Sequence, residues 1–324
     1  MKIGPVSLPI VKARSAGSVP ELPGDRFDAS PPSAQSFNPW GVALAGAGLL
    51  ASCTATQACA PVTEIAPQAT DPAITQARGP HLAYLPQTTP NGFLLLSLGG
   101  TNSLPSDFSA FDTVAAEQGF AALALDYPNT VITTSCKTSP EPDPCTLFRQ
   151  EIATGQPVSQ LVEVSPDNSI EHRLEALLAY QAKHDPEHFG QFYSHNGPVW
   201  NKIVVVGHSQ GSGHAAYLAK RHPLQAVIML AGPQDTTEAG PASWVSAPGA
   251  TPPERFLSLL HRDDFFGSES QLNIARILRE DPAAPASASG PVVISDEPVR
   301  DPHMSVISPI FTGVWQNLLK QAVE

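Results

Sequence analysis

A serine between glycines is the feature of this 324-residue chain that most clearly could do chemistry. Residues 207–211 have the sequence Gly-His-Ser-Gln-Gly, after the β-branched run 203–206 and before a helical pattern over 212–221. A strand, a sharp turn and a helix in this order would hold Ser209 above the strand end. The backbone amide of Gln210 would then point at the same spot from the helix N-terminus. The pentapeptide alone also arises by chance, but its flanking strand and helix favour a nucleophilic serine.

A serine hydroxyl needs a base to accept its proton, and the base needs an acid to hold its tautomer. These groups must be positioned by further elements, and from residue 81 the chain alternates between strand and helix patterns. Predicted strands cover 81–85, 93–98, 120–125, 202–206, 226–230, 255–260 and 291–294. Predicted helices cover 107–118, 146–153, 170–183, 212–221, 271–279 and 310–322. The alternation predicts an α/β protein with a mostly parallel sheet and helices on both faces.

Residues 79–324 resemble the α/β-hydrolase fold of serine hydrolases. The resemblance rests on the turn at residues 207–211, which we call the elbow, on the strand order, and on the order of serine, acid and histidine along the chain. The resemblance does not single out one family within that fold. It implies that Ser209 is the nucleophile and His303 the base, because His303 follows the last predicted strand and precedes the terminal helix. The other nine of the ten histidines lie elsewhere in the order.

The sequence leaves two adjacent aspartates as candidates for the acid that pairs with His303. In the resembling fold it commonly comes three residues after the residue that ends its strand. With His261 in that place, Asp264 fits and Asp263 is the alternative. Asp235, after the preceding strand, is a lesser alternative used by some members of the fold.

The oxyanion of the tetrahedral intermediate requires two backbone donors. The resemblance assigns one to Gln210 and the other to Thr101, with Gly100 as the fallback, since both follow the strand 93–98. The pocket is expected to be lined by loops 101–105, 129–168 and 232–253. The last has the usual lid position but is short, so an open site is expected, with Trp244 as a candidate wall residue.

The formal net charge of −12 argues against nucleic acid and anionic membrane surfaces as partners. Of four cysteines, Cys136 and Cys145 flank a Pro-rich loop, which favours a disulfide and an oxidising compartment. The other two are Cys53 and Cys59, and no pair has zinc-site spacing. No metal and no cofactor are expected.

Residues 1–78 form a separate N-terminal segment of low complexity. Residues 40–51 are an apolar run that suits the core of a signal peptide. It ends in Leu-Ala-Ser-Cys at Cys53, which resembles the lipobox of bacterial lipoproteins, although a long stretch with few basic residues precedes it. Residues 54–78 would then be a tether. These features predict export, leave a cytoplasmic location open, and allow membrane attachment only through a lipid on Cys53.

The resulting hypothesis is a carboxylic ester hydrolase that forms an acyl-enzyme on Ser209 and acts on a small or polymeric ester. A peptidase or amidase with the same triad is the alternative, because the fold does not separate the two. A non-catalytic binding protein of this fold would be expected to lack a triad member. The oligomeric state is not predicted.

Overall fold

The computed structural model describes residues 62–283, 287 and 289–324. Eight strands form one sheet: β1 Val62–Ile65, β2 His81–Tyr84, β3 Leu94–Leu98, β4 Ala121–Leu125, β5 Ile203–His208, β6 Ala226–Leu230, β7 Phe256–His261 and β8 Val292–Ser295. Their order across the sheet is β1-β2-β4-β3-β5-β6-β7-β8. β2 is antiparallel to both of its neighbours, and all other pairs are parallel. The chain has the α/β-hydrolase fold.

Within the described residues, six helices of two turns or more accompany the sheet: α1 Ser109–Glu117, α2 Pro144–Thr154, α3 Ile170–His184, α4 Gln210–Arg221, α5 Ser268–Leu278 and α6 Thr312–Val323. Shorter α-helical turns are Pro67–Thr70, Pro186–Phe189, Ser243–Ser246 and Pro302–Ser305. The 3₁₀ turns are Pro105–Phe108, Thr133–Thr138, Pro166–Asn168, Gly190–Phe192, Trp200–Lys202, Pro253–Arg255 and Pro309–Phe311. Two hairpins pair Tyr193–Ser194 with Gly197–Pro198 and Thr236–Thr237 with Gly240–Pro241.

The central strands are buried on both faces, because helices cover each side. Along β3, Leu94 and Leu96 contribute to one hydrophobic cluster and Leu95 to the other, as the two-residue period of a strand requires. Side chains of α2, α3, α4 and α5 complete the first cluster, and those of α1 and α6 complete the second. The fold class predicted from the sequence is therefore confirmed.

The folded domain begins earlier than the boundary at residue 79. Val62–Ile65 pairs antiparallel with β2, and Ile65 and Ile74 are buried. The side-chain oxygen of Asn168 accepts hydrogen bonds from the amides of Thr75 and Gln76. The prediction of a tether is thus wrong for residues 62–78. The signal, lipobox and Cys53 predictions lie outside the described residues.

The long connection 129–168 is ordered by covalent and polar contacts. Cys136 and Cys145 form the predicted disulfide, and both are buried rather than exposed. The buried carboxylate of Glu151 accepts hydrogen bonds from three backbone amides of the same connection. The first part of this connection lies at the carboxyl end of the sheet. Across the part of the chain that the model describes, no helix combines the length and apolar character needed to cross a membrane.

Candidate active site

Ser209 occupies a strained turn between β5 and α4. Its φ of 53° and ψ of −118° are rarely adopted by a residue with a side chain. Two glycines make the turn sterically feasible: a Cβ at Gly207 would lie 2.1 Å from the Gly211 carbonyl oxygen, and one at Gly211 would lie 2.0 Å from that of Leu98. Only glycine fits at either position. The Gly-x-Ser-x-Gly spacing is therefore explained by close backbone approach.

The elbow is anchored to the neighbouring strand. The Ser209 amide donates a 2.8 Å hydrogen bond to the Leu230 carbonyl at the end of β6. The Ser209 hydroxyl does not cap the helix that it precedes. Instead Ser209 lines a pocket together with His303. The serine is thus held at the carboxyl end of the sheet, beside a histidine 94 positions later in the chain.

His303 and Asp264 form a buried pair. The His303 Nδ1 and Asp264 Oδ2 atoms are 2.8 Å apart, and each residue is 5% exposed. His303 lies in the turn Pro302–Ser305, whose Met304 amide donates a 3.0 Å hydrogen bond to the Asp301 side chain. This pairing leaves the Nε2 atom of His303 as the position from which it can exchange a proton with a reacting group.

The Asp264 carboxylate is held ionised. Burial alone would raise its pKa, but hydrogen bonds from His303, the Gln271 side chain and the Phe266 amide outweigh burial and hold the pKa of Asp264 below its ordinary value. The Gln271 and Phe266 nitrogens lie 3.0 and 2.9 Å from its two oxygens. Asp264 is therefore an anion at neutral pH, with its geometry fixed by three donors.

The other two candidate acids lie elsewhere. Asp263 is exposed and turned away, although its amide nitrogen is 3.2 Å from the His261 Nδ1 atom. Asp235 is fully buried in an ion pair with Arg149, at 2.8 and 2.7 Å. Of the three carboxylates considered, Asp264 is the one that the structure brings to His303.

Trp244 is not part of the pocket. It is 3% exposed, lies in the hydrophobic core, and donates its indole N–H to Asp235 at 3.1 Å. The prediction of Trp244 as a wall residue is wrong, because this hydrogen bond turns its ring inward. The loop 232–253 contributes no residue to the lining of the pocket, whereas 101–105 and 129–168 both do.

The predicted oxyanion residues lie next to one another. The Thr101 hydroxyl donates a 2.7 Å hydrogen bond to the Gln210 side-chain oxygen. Gln210 opens α4, so its amide has no acceptor within the helix. A side chain at Gly100 would come within 3.1 Å of the Ser209 Cβ, which places this backbone directly over the serine. The two residues predicted to form the oxyanion hole thus lie next to Ser209: Gln210 follows it in the chain, and Thr101 lines the same pocket.

His208 is a residue whose role the sequence did not reveal. Its Nε2 atom lies 3.0 Å from the His303 carbonyl oxygen, and the two rings are 4.9 Å apart. Burial, together with the nearby His303, lowers the pKa of His208 to about 4. The neutral ring therefore donates from Nε2 and ties the turn that carries His303 to the elbow. The position of His208 beside Ser209 is the one sequence feature that hints at a role, but its contact with the His303 carbonyl is visible only in the folded structure.

The pocket above Ser209 has a volume of about 460 Å³, which lies in the range of small-ligand sites. Its wall combines the elbow, the Gly100–Ser103 loop and apolar side chains from three loops, namely Ile132, Phe266 and Met304. The Phe266 ring is 4.6 Å from the His303 ring. The wall also includes the polar residues Asn102, Ser103 and Asp107, and an apolar ring lies beside the histidine.

No family model matches the chain, and no curated protein matches it. Solved structures with which it aligns include TT1662 from Thermus thermophilus, at 17% identity over 76% of this chain and 94% of the other, with a TM-score of 0.44. A putative dienelactone hydrolase from Klebsiella pneumoniae aligns at 15% identity over 82% and 98%, with a TM-score of 0.46. An S-formylglutathione hydrolase from Agrobacterium tumefaciens aligns at 15% over 80% and 94%, with a TM-score of 0.47. None of these likenesses assigns an activity to the chain.

Proposed function

We propose that the protein is a serine hydrolase that cleaves carboxylic esters through an acyl-enzyme on Ser209. The observation that carries the proposal is the combination of a strained elbow serine with a histidine in the same pocket, bonded to a buried carboxylate. Strain of this kind persists only where the surrounding structure imposes it, and it concentrates at functional sites.

The chemistry follows from the three side chains. The Ser209 oxygen attacks the ester carbonyl carbon while the His303 Nε2 atom accepts the hydroxyl proton. Asp264 stabilises the resulting imidazolium through the Nδ1–H bond. The amides of Gln210 and Thr101 donate to the oxyanion. Collapse of the intermediate breaks the bond to the alcohol, which leaves with the proton from His303, and water repeats the sequence to release the acid.

Esters are preferred over amides in this proposal because their alcohol leaving group departs more readily. A panel of p-nitrophenyl esters and aminoacyl p-nitroanilides tests the choice. We expect ester turnover in the wild type, its loss in Ser209→Ala, and normal turnover in Ser246→Ala, which alters an exposed serine remote in sequence from the triad. Anilide turnover without ester turnover, or an unimpaired Ser209→Ala variant, would contradict the proposal.

A further inference from the structure

Exposed apolar side chains are concentrated at the mouth of the Ser209 pocket. Within the described residues, seven large hydrophobic side chains are exposed, and three of them line this pocket or contact His303. We call these three the apolar collar: Ile132, Phe265 and Met304. Single exposed hydrophobic residues are ordinary, but a cluster around a cavity marks a binding surface.

The collar is continuous with the reacting groups. Ile132 and Met304 line the pocket itself. The Phe265 ring is 5.3 Å from the His303 ring and 4.5 Å from that of Phe266, yet Phe265 is 68% exposed. An apolar group that reaches Ser209 would therefore pass over these side chains.

The Phe265 side chain contributes little to the stability of the fold. Its ring contacts Phe266 and His303 but is mostly in water, so its removal would cost the core little buried area. A ligand that covered it would gain the free energy of burying that area. The exposed ring is thus better explained by a bound apolar chain than by packing.

The charge around the pocket restricts the ligand further. No lysine or arginine is among the pocket residues of the described chain, whereas Asp107 is. The whole chain has a formal net charge of −12. Arg78 lies behind the wall, where its guanidinium donates to the Asn102 carbonyl and to the Asn129 side chain. An anionic chain in the pocket would therefore face the Asp107 carboxylate and no lining cation, on a protein of negative net charge.

We infer that the substrate of this site is an uncharged carboxylic ester with a long apolar chain that lies across the collar. This inference rests on the proposed function and adds the class of substrate to it. The collar contributes binding by burial of apolar area, while Ser209, His303 and Asp264 carry out the acyl transfer. Substrates with an acyl chain too short to reach Phe265 do not gain this contribution.

The test compares p-nitrophenyl decanoate with p-nitrophenyl acetate in a Phe265→Ser/Met304→Ser double variant. The ratio of the two kcat/KM values, decanoate over acetate, is expected to fall about tenfold, which corresponds to about 1.4 kcal/mol. A Val62→Ser/Val158→Ser double variant is the matched control, since both valines are exposed but do not line the pocket. Its ratio should equal that of the wild type. Equal thermal midpoints in the two double variants would verify that both fold.

A second arm uses the decanoate ester with a carboxylate at the far end of the chain. The wild type should cleave it at least tenfold less efficiently than the uncharged ester. Equal cleavage of the charged and uncharged esters, or an unchanged ratio in the collar variant, would overturn the inference while Ser209-dependent hydrolysis stands. Absence of any ester cleavage by the wild type would instead overturn the proposed function and the inference together.

Discussion

Two adjacent aspartates have opposite environments. Asp264 is buried and accepts three hydrogen bonds, one of them from His303, whereas Asp263 is exposed. Asp264→Asn should reduce kcat by about 10³–10⁴-fold, because the amide no longer stabilises the imidazolium or holds the tautomer of His303. Asp263→Asn should change kcat less than threefold. Steady-state hydrolysis of p-nitrophenyl acetate measures both, and equal losses in the two variants would contradict the assignment of Asp264.

At the scale of single residues, the sequence predicts which residues lie at the candidate site better than it predicts where a given side chain points. The order of Ser209, Asp264 and His303 along the chain sufficed to nominate them, because strand ends of a parallel sheet meet at one edge. Trp244 was misplaced, because its orientation depends on Asp235, which in turn is held by Arg149 from 86 positions away in the sequence. A contact between residues so far apart in the sequence leaves no local sequence pattern.

A buried ion pair joins three elements behind the elbow. Arg149 in α2 pairs with Asp235, in the loop after β6, and its Nη1 atom donates a 2.6 Å hydrogen bond to the Gln210 carbonyl at the start of α4. Asp235→Ala should lower the free energy of unfolding by about 3–5 kcal/mol, because it leaves a guanidinium buried without its counter-ion. Urea unfolding at pH 7 measures the change.

The matched control is the exposed pair of Arg262 and Asp296, which are 61% and 65% exposed. Asp296→Ala should leave the free energy of unfolding nearly unchanged, since water screens the pair. If Asp235→Ala and Asp296→Ala proved equally mild, the Arg149–Asp235 pair would not be what fixes these elements.

At the scale of elements, a strand with a clear hydrophobic pattern of its own is predictable from the sequence, whereas an exposed strand at the edge of the sheet is not. β5 begins with four β-branched apolar residues and is buried throughout, and its pattern predicts a strand over 202–206, close to the observed bounds. β1 was missed because three of its four side chains are exposed and its sequence continues a Pro- and Ala-rich stretch. Its strand conformation comes from pairing with β2, which is a tertiary effect.

The whole molecule should lose stability in mild acid because of three buried histidines. Burial, with a contribution from nearby Arg173, lowers the pKa of His81 to about 3, and burial lowers that of His208 to about 4. Burial also holds the pKa of His214 well below its ordinary value. Unfolded, each would bind a proton near pH 6.5, so the unfolded chain binds more protons and stability falls as pH drops below 6.5.

Asp112 opposes this trend. Burial raises its pKa to about 7, so the folded carboxyl already holds a proton in the range where the unfolded one would not. For these four groups the unfolded chain would bind about two protons more than the folded one, so their combined contribution to stability falls by about 3 kcal/mol per pH unit between pH 6 and 5. Urea unfolding at these two pH values measures it. A free energy of unfolding that is constant or rises over this interval would contradict the neutral, buried state of the histidines.

For the whole molecule, the sequence predicted the fold class and the end of the sheet at which Ser209 lies. It did not predict the collar, because exposure at a pocket mouth depends on how the loops around residues 132, 265 and 304 converge. The proposed substrate class therefore rests on the tertiary structure, and the proposed reaction class on the elbow.

The most direct test of the central claim is covalent labelling of the nucleophile. The protein is treated with a fluorophosphonate, its intact mass is measured, and the modified peptide is sequenced by mass spectrometry. The account predicts one adduct per chain on Ser209, slower labelling in Asp264→Asn, and none in Ser209→Ala. An adduct on another residue, or equal labelling of Ser209→Ala and the wild type, would contradict it.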